Sequence, residues 1–307
     1  MMDFLQKLRK AFWISRPLFW LGPLAAYKAG LWAAGVDMGP FQWLEAFIFS
    51  FPASFLIYAL NDLHDREQDL RNPRKDNKIW GERLEKKDVG WVRNWCHAFA
   101  MMMAGVGILS LNPLHAFFAF MGVAFAFFYS APPVRLKERP PFDSLSSVAY
   151  GIIPFALGAT LGGSLIFLDL RFLILCMGLP AVHALLTVAD EEEDRKMGVR
   201  TFSTVYGGRA AAAFSTACIL LIFALFTYYS GLAPTIALIA QLSLLFAASL
   251  TAFVVFRPTP KNAKLAFKIL AAYGVIWGYF LLLHYFLTGT YFMHFDFARA
   301  IPALFGN

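Results

Sequence analysis

The chain has 307 residues, of which 59% are hydrophobic and 15% are charged, and its formal net charge is +7. Its mean hydropathy is +0.56. Soluble domains carry about 25% charged and about 45–50% apolar residues, so this composition excludes an ordinary soluble enzyme. The apolar residues come in blocks of roughly twenty, the length that crosses the hydrocarbon core of a bilayer.

These apolar blocks predict helices that cross a membrane. In lipid, only helices and closed barrels satisfy every backbone polar group, and the blocks are too long and too uniformly apolar for barrel strands. The sequence therefore predicts one all-α polytopic domain over residues 1–307, a bundle of nine helices around a central cavity. The predicted spans are 14–36, 42–61, 92–111, 113–131, 145–167, 171–189, 210–230, 232–256 and 266–288.

Basic residues are concentrated in alternate loops. Of the 27 Lys and Arg residues, 23 fall in the N-terminal segment or in the loops 62–90, 132–144, 190–209 and 257–268. The positive-inside rule therefore predicts that these loops and the N-terminus are cytoplasmic in a multi-pass protein of the cell membrane. Nine of the 20 acidic residues lie in two short segments at this same face. Topology does not require them, because acidic residues contribute little to orientation.

The first acidic segment is NDLHDREQD at 61–69, which follows an apolar run directly. On a helix that continues from the second span, Asp62, Asp65 and Asp69 share one face because they are spaced by three and four residues. Tyr58 lies four residues before Asp62 and is expected on the same face.

The second acidic segment is DEEED at 190–194. Asp190 and Asp194 are one helical turn apart, and Glu191 is within reach of Asp194. Like charges this close repel one another unless a cation lies between them. Mg²⁺ typically takes one or two carboxylates together with phosphate oxygens of a substrate, so both segments are candidate metal sites at the cytoplasmic mouth of one cavity.

The pattern N-D-x-x-D-x-x-x-D at 61–69, together with D-x-x-x-D-x-x-x-G at 190–198, resembles the UbiA superfamily of intramembrane prenyltransferases. Members of this superfamily carry two Asp-rich motifs on the second and sixth of about nine helices, and the resemblance covers nearly the whole chain. A further string, YSAPPVRLK at 129–137, resembles the family's tyrosine-to-lysine segment after the fourth helix. The resemblance implies a prenyltransferase in which Mg²⁺ ions bind an isoprenyl diphosphate between the two motifs.

The resemblance and the spacing together give a set of candidate site residues. Arg135 and Lys137 are expected to donate to the diphosphate, and Tyr129 precedes them. His183 and Thr187 share a face with Asp190, and for His183 a cavity role and a packed histidine stay equally open. The predicted catalytic residues are Asp62, Asp65, Asp190 and Asp194; the predicted metal ligands are Asp62, Asp65, Asp69, Asp190, Glu191 and Asp194; the predicted substrate contacts are Asn61, Tyr58, Tyr129, Arg135, Lys137, His183 and Thr187.

Longer strings resemble one branch of the superfamily, the carotenoid-modifying enzymes typified by lycopene elongases. This resemblance implies that dimethylallyl diphosphate is the donor and that a linear carotenoid such as lycopene is the acceptor, in a bilayer and without a nucleic-acid partner. Aromatic or quinone precursors and a chlorophyllide stay open as acceptors. A transporter is a distant alternative, because transporters place their charges near the midplane of the membrane. The strings are ISRPLFW (14–20), FPASFLIYALND (51–62), NPRKDN (72–77) and RPPFDSLSS (139–147).

Overall fold

A computed structural model describes residues 3–70, 78, 81–229 and 234–288, and every regular element in those ranges is helical. These residues form two compact units, Met1–Asp169 and Leu170–Asn307. That the chain forms one domain stays a prediction. Within the described residues, six helical stretches are long and apolar enough to cross a membrane, so the all-helical membrane fold is confirmed while the count of nine spans stays a prediction. These stretches are Pro40–His64, Pro113–Ser130, Phe142–Leu161, Leu170–Met197, Gly208–Leu225 and Leu238–Phe256.

Nine α-helices are described in the first unit. They are α1 (Phe4–Ile14), α2 (Leu21–Ala33), α3 (Pro40–Ile48), α4 (Phe51–His64), α5 (Arg66–Asp69), α6 (Val89–Leu109), α7 (Pro113–Ser130), α8 (Phe142–Leu145) and α9 (Ala149–Leu161). The second unit contains six more. They are α10 (Leu170–Cys176), α11 (Gly178–Met197), α12 (Phe202–Tyr206), α13 (Gly208–Tyr229), α14 (Pro234–Phe256) and α15 (Pro260–Thr288).

The first predicted span, 14–36, is not one helix. α1 ends at Ile14, Arg16 adopts a left-handed conformation with φ of 52°, and a short 3₁₀ turn over Pro17–Trp20 leads into α2. Proline at the first position of that turn explains the break, because its ring fixes φ and removes a donor that a continuing helix would need. The break brings the side chain of Arg16 to the end of α4, as described below.

Close packing of α2 against α9 fixes the frame of the first unit. Gly158 lies so close to α2 that a Cβ atom there would be 2.2 Å from the carbonyl oxygen of Tyr27, and a Cβ at Gly30 would be 2.0 Å from that of Phe155. Helices in membranes commonly have small residues at their interfaces, because these let the two backbones come close together. Close packing then stabilises the helix pair, since lipid provides no hydrophobic driving force for association.

Candidate active site

The first acidic segment lies at the end of α4, but the helix does not run through it. Asp65 caps α4, and the short helix α5 begins at the next residue. The expectation of one continuous helix over 61–69 is therefore wrong. Asp62 and Asp69 are buried, with 1% and 9% of their surface exposed. Asn61 is half-buried and its carbonyl accepts the backbone N–H of Asp65 at 2.9 Å, which holds the turn in place.

Two basic side chains from the loop after α7 meet Asp65. Arg135 Nη2 is 3.0 Å from Asp65 Oδ1, and Lys137 Nζ donates to Asp65 Oδ2. The loop reaches the carboxylate because Arg135 takes a left-handed conformation and a 3₁₀ turn follows over Leu136–Glu138. Burial lowers the pKa of Lys137, and Asp65 offsets part of that effect. The sequence analysis assigned these two cations to the diphosphate, which stays a prediction; in the structure both contact Asp65.

Arg16 is a third cation at this site, and the sequence analysis assigned it only to topology. Its Nη2 atom is 3.1 Å from Asp62 Oδ1, and its guanidinium carbon is 4.3 Å from the ring centroid of Tyr58. An arginine beside an aromatic face and a carboxylate forms both a cation–π contact and an ion pair. The position of Arg16 in the string ISRPLFW, at the polar edge of an apolar block, is the signal that could have found it.

The Nε atoms of Arg16 and Arg135 are buried and have no hydrogen-bond partner within the described part of the chain. Buried polar groups are nearly always paired, and an unpaired donor costs about 1–3 kcal/mol. Both guanidinium groups, each paired with a carboxylate of the first acidic segment, therefore keep a donor that the described residues do not use.

An apolar pocket begins beside this cluster. Tyr58 is common to both, since its ring contacts Arg16 and also lines the pocket. Tyr129 does not line the pocket but packs against two residues that do. Its ring centroid is 6.4 Å from that of Tyr150 and 5.7 Å from that of Phe125. The lining residues are Phe19, Pro23, Phe49, Ala53, Ser54, Ile57, Tyr58, Met103, Gly122, Phe125, Ala149, Tyr150, Ile153, Pro154 and Leu157.

The second acidic segment lies in the second unit, in the last turns of α11. Glu191 is held by Arg195, whose Nη2 and Nε atoms are 2.8 and 3.2 Å from its Oε1. Asp194 Oδ2 accepts the Thr201 hydroxyl at 3.3 Å. Asp190 is half-buried on the same helix. Because this segment and the first belong to different compact units, their convergence over one cavity stays a prediction.

His183 and Thr187 lie earlier on α11. Thr187 is buried, and its hydroxyl donates to the carbonyl of Ala184 at 2.8 Å. Its own carbonyl accepts the Ser203 hydroxyl at 2.6 Å, which joins α11 to α12. His183 is half-buried. The bonds of Thr187 give it a structural function inside the second unit, and a substrate contact at either residue stays a prediction.

The predicted metal ligands are divided between the two compact units. Among the residues that the structure describes, no group of three or more His, Cys, Asp or Glu side chains is close enough to hold a metal ion. In the first unit Asp62 and Asp65 are instead engaged by Arg16, Arg135 and Lys137. The metal set stays a prediction. The string NPRKDN at 72–77 lies outside the described residues.

A second polar network, which the sequence analysis missed, is buried in the first unit. Glu45 accepts the Tyr27 hydroxyl at 2.6 Å and lies 2.7 Å from His115 Nε2. The other ring nitrogen of His115 is 3.0 Å from the Leu157 carbonyl and 3.2 Å from the Thr160 hydroxyl. A glutamate inside the predicted span 42–61 was the available signal, because an ionisable residue within a membrane helix needs a partner.

The helical spans indicate a multi-pass membrane protein, and one of them ends at a cluster of cations and carboxylates beside an apolar pocket. The family comparison makes the class specific. The chain belongs to the UbiA prenyltransferase family, whose model matches residues 22–277. It is therefore a prenyltransferase, and the resemblance recognised in the two Asp-rich motifs is confirmed.

Individual relatives agree with the family. The chain is 30% identical over 225 residues to a lycopene elongase/hydratase of Corynebacterium glutamicum, covering 71% of this chain and 76% of the relative. It is 32% identical over 236 residues to a lycopene elongase/hydratase of Halobacterium salinarum, covering 71% and 78%. It shares its fold with a UbiA homologue from Archaeoglobus fulgidus bound to DMAPP and Mg²⁺, with a TM-score of 0.65, 19% identity, and coverage of 87% and 98%.

Proposed function

We propose that this prenyltransferase transfers an isoprenyl group from an allylic diphosphate, dimethylallyl diphosphate for preference, to a linear carotenoid such as lycopene. The observation that carries the proposal is the junction at Tyr58. Its ring contacts the guanidinium of Arg16, which is paired with Asp62, and it also lines the apolar pocket. A molecule with a charged head and a hydrocarbon tail fits such a junction.

The cations of the first unit suit the diphosphate. Arg16, Arg135 and Lys137 are paired with carboxylates. The Nε atoms of the two arginines are buried and have no hydrogen-bond partner among the described residues. A diphosphate oxygen is a stronger acceptor for such a donor than a neutral group, and an arginine can grip it with two parallel bonds. Binding of the donor would therefore exchange some Asp62 and Asp65 contacts for contacts with phosphate.

The carboxylates fit a magnesium ion by their chemistry. Mg²⁺ prefers oxygen ligands and commonly takes one or two carboxylates plus substrate phosphate oxygens, so a ready-made protein cage is not required. Asp62, Asp65 and Asp69 of the first motif, with Asp190, Glu191 and Asp194 of the second, would hold it. When bound, the metal would supply positive charge that neutralises charge on the leaving group.

The reaction then proceeds by ionisation. The allylic C–O bond breaks, diphosphate leaves with the electron pair, and Arg135 and Lys137 stabilise the negative charge that develops on it. The rings of Tyr58, Phe125 and Tyr150 line the pocket that would receive the allylic cation, where π faces stabilise positive charge and exclude water. An alkene of the acceptor supplies the electron pair for the new C–C bond. The resulting tertiary cation is quenched by loss of a proton, or by capture of water followed by loss of a proton.

The acceptor assignment has two supports. The pocket wall is apolar apart from Ser54 and the hydroxyls of Tyr58 and Tyr150, so it offers shape to a polyene and few groups that would orient a polar ring. A quinone-type head group would need positioned partners, because an unmatched buried polar group costs about 1–3 kcal/mol. The relatives that are named lycopene elongase/hydratase point to the same acceptor class.

We also infer that the site opens to the cytoplasm, with the N-terminus on the same side. The support is the concentration of 23 of the 27 basic residues in the N-terminal segment and alternate loops. Nine spans would give this arrangement.

The test is expression in bacteria that accumulate lycopene, with the pigments identified by mass. We expect products heavier by one and then two C5 units, with or without an added hydroxyl, and no new pigment from an Asp62→Ala variant. Purified protein should release diphosphate from dimethylallyl diphosphate only when both lycopene and Mg²⁺ are present. Untouched lycopene together with prenylated 4-hydroxybenzoate, homogentisate or naphthoate would refute the acceptor and leave the family unchanged.

A further inference from the structure

Three lysines form one exposed face where α14 gives way to α15 in the second unit. Lys261, Lys264 and Lys268 are all exposed and line a shallow cavity together with Glu192 of α11. Their spacing of three and four residues places them on the same side of α15. We call this set the lysine face.

The charge of the lysine face is not balanced by the protein. In the ranges that the structure describes, none of the three lysines forms an ion pair, and Glu192 is the single carboxylate in the cavity lining. The first turn of α15 contains no acidic residue. Like charges on adjacent turns repel, and at a helix N-terminus the helix dipole adds to the positive potential. Unless an anion binds there, this arrangement is unfavourable.

The lysine face lies at the depth of lipid head groups. The candidate span Leu238–Phe256 ends at Phe256, which is 80% exposed, and Lys261 follows after a short turn. Lys261 and Lys268 are separated by roughly 10 Å along the helix axis at 1.5 Å per residue. The head-group layer on each side of a bilayer is about 5–7 Å thick, so the three ammonium groups span it. Lys268 can extend its side chain toward this layer from the hydrocarbon side.

Apolar side chains accompany the lysines. Leu265 lies between Lys264 and Lys268 and is 52% exposed, and Phe256 is at the adjoining end of α14. A soluble anion would use only the ammonium groups, whereas a phospholipid would use the charges for its phosphate and the apolar surface for its acyl chains. Basic residues at helix ends have a general function in topology, but topology does not require three on one helical face.

We propose that the lysine face binds the head group of an anionic phospholipid, with the acyl chains against Leu265 and Phe256. Basic surfaces at the ends of membrane helices attract anionic lipids through charges in just this position. None of the residues that line this cavity is a proposed prenyl-transfer residue, although Glu192 lies between Glu191 and Asp194 on α11. The inference therefore does not depend on the reaction or the acceptor.

The test is retention of lipid by the purified full-length protein in detergent, measured by native mass spectrometry with phosphatidylglycerol or phosphatidylcholine added. We expect the wild type to retain phosphatidylglycerol in preference to phosphatidylcholine. The variant Lys261→Gln/Lys264→Gln/Lys268→Gln should lose roughly 100-fold in affinity for phosphatidylglycerol, from the typical contribution of each lysine near a lipid surface. Glu192→Gln removes the opposing charge and should tighten binding several-fold.

A matched variant separates this site from general charge effects. Arg9→Gln/Lys86→Gln/Arg93→Gln removes the same charge from three exposed positions in the first unit and should leave preferential retention unchanged. Equal retention of the two lipids by the wild type, or an equal loss in the matched variant, would overturn the proposal. Complete displacement of the lipid by inorganic phosphate would also overturn it, because the site would then serve a soluble anion.

Discussion

Replacing Lys137 with alanine tests the donor site most directly. The side chain of Lys137 is 9% exposed, and its ammonium group donates to Asp65 next to Arg135. A buried charge-assisted hydrogen bond contributes about 1.5–3 kcal/mol, so loss of this donor should lower kcat/KM for dimethylallyl diphosphate by about 10- to 150-fold. The measurement is diphosphate release by the protein in detergent at limiting donor and saturating acceptor.

The control for this prediction is Lys86→Ala, which removes the same charge from an exposed position and should leave the rate unchanged. Lys137→Arg should recover part of the loss, because it restores the charge but not the point geometry of an ammonium group. If the rate at limiting donor is the same in Lys137→Ala as in the wild type, Lys137 does not contact the diphosphate and its bond to Asp65 serves only the fold.

Three further predictions follow from single positions. Asp62→Ala and Asp190→Ala should each abolish turnover while leaving membrane insertion intact, and near-normal activity in both would refute the two-motif site. Lys10 and two N–H groups hold the pKa of buried Asp88 below its usual value despite the opposing effect of burial. The contribution of ionised Asp88 to the free energy of unfolding is therefore complete above about pH 4 and is lost as pH falls through the depressed pKa. The free energy of unfolding of Asp88→Asn should be about 3–5 kcal/mol below that of the wild type at neutral pH. In acid the two values should approach one another. Gly158→Ala should lower the melting temperature, whereas Gly105→Ala, where a Cβ meets nothing within 4 Å, should not.

The position of the first acidic segment was predictable because its carboxylates directly follow an apolar run in the sequence. The run of apolar residues before Asp62 predicts a helix end at the membrane surface, and carboxylates there require cations. Arg135 and Lys137 were expected to donate to the diphosphate, which stays a prediction; their contacts with Asp65 were not predicted. The contacts of the second motif with Arg195 and Thr201 are local to α11 and the turn after it.

Two features were not predictable for physical reasons. Asp65 is both the C-cap of α4 and the N-cap of α5, with φ of −101° and ψ of 9°, whereas periodicity alone favours continuation of the helix. The contact of Arg16 with Asp62 joins residues 46 positions apart and depends on a left-handed residue before a proline. Sequence spacing does not indicate a contact between residues that are so far apart in the chain.

The polar network around Glu45 and the charged cluster around Asp65 differ in burial, and this difference decides which of them can bind a ligand. Glu45 and His115 are fully buried, and each ring nitrogen and carboxylate oxygen of the pair has a partner inside the protein. A network that is closed in this way stabilises one packing arrangement and leaves no atom for a ligand. The side chains of Asp65 and Arg135 are instead 16% and 22% exposed. Their bonds can be exchanged for bonds to an incoming anion, because solvent already reaches them. Both networks place ionisable groups among apolar helices, and the difference in accessibility is why we propose the cluster at Asp65, and not the Glu45 network, for the reaction.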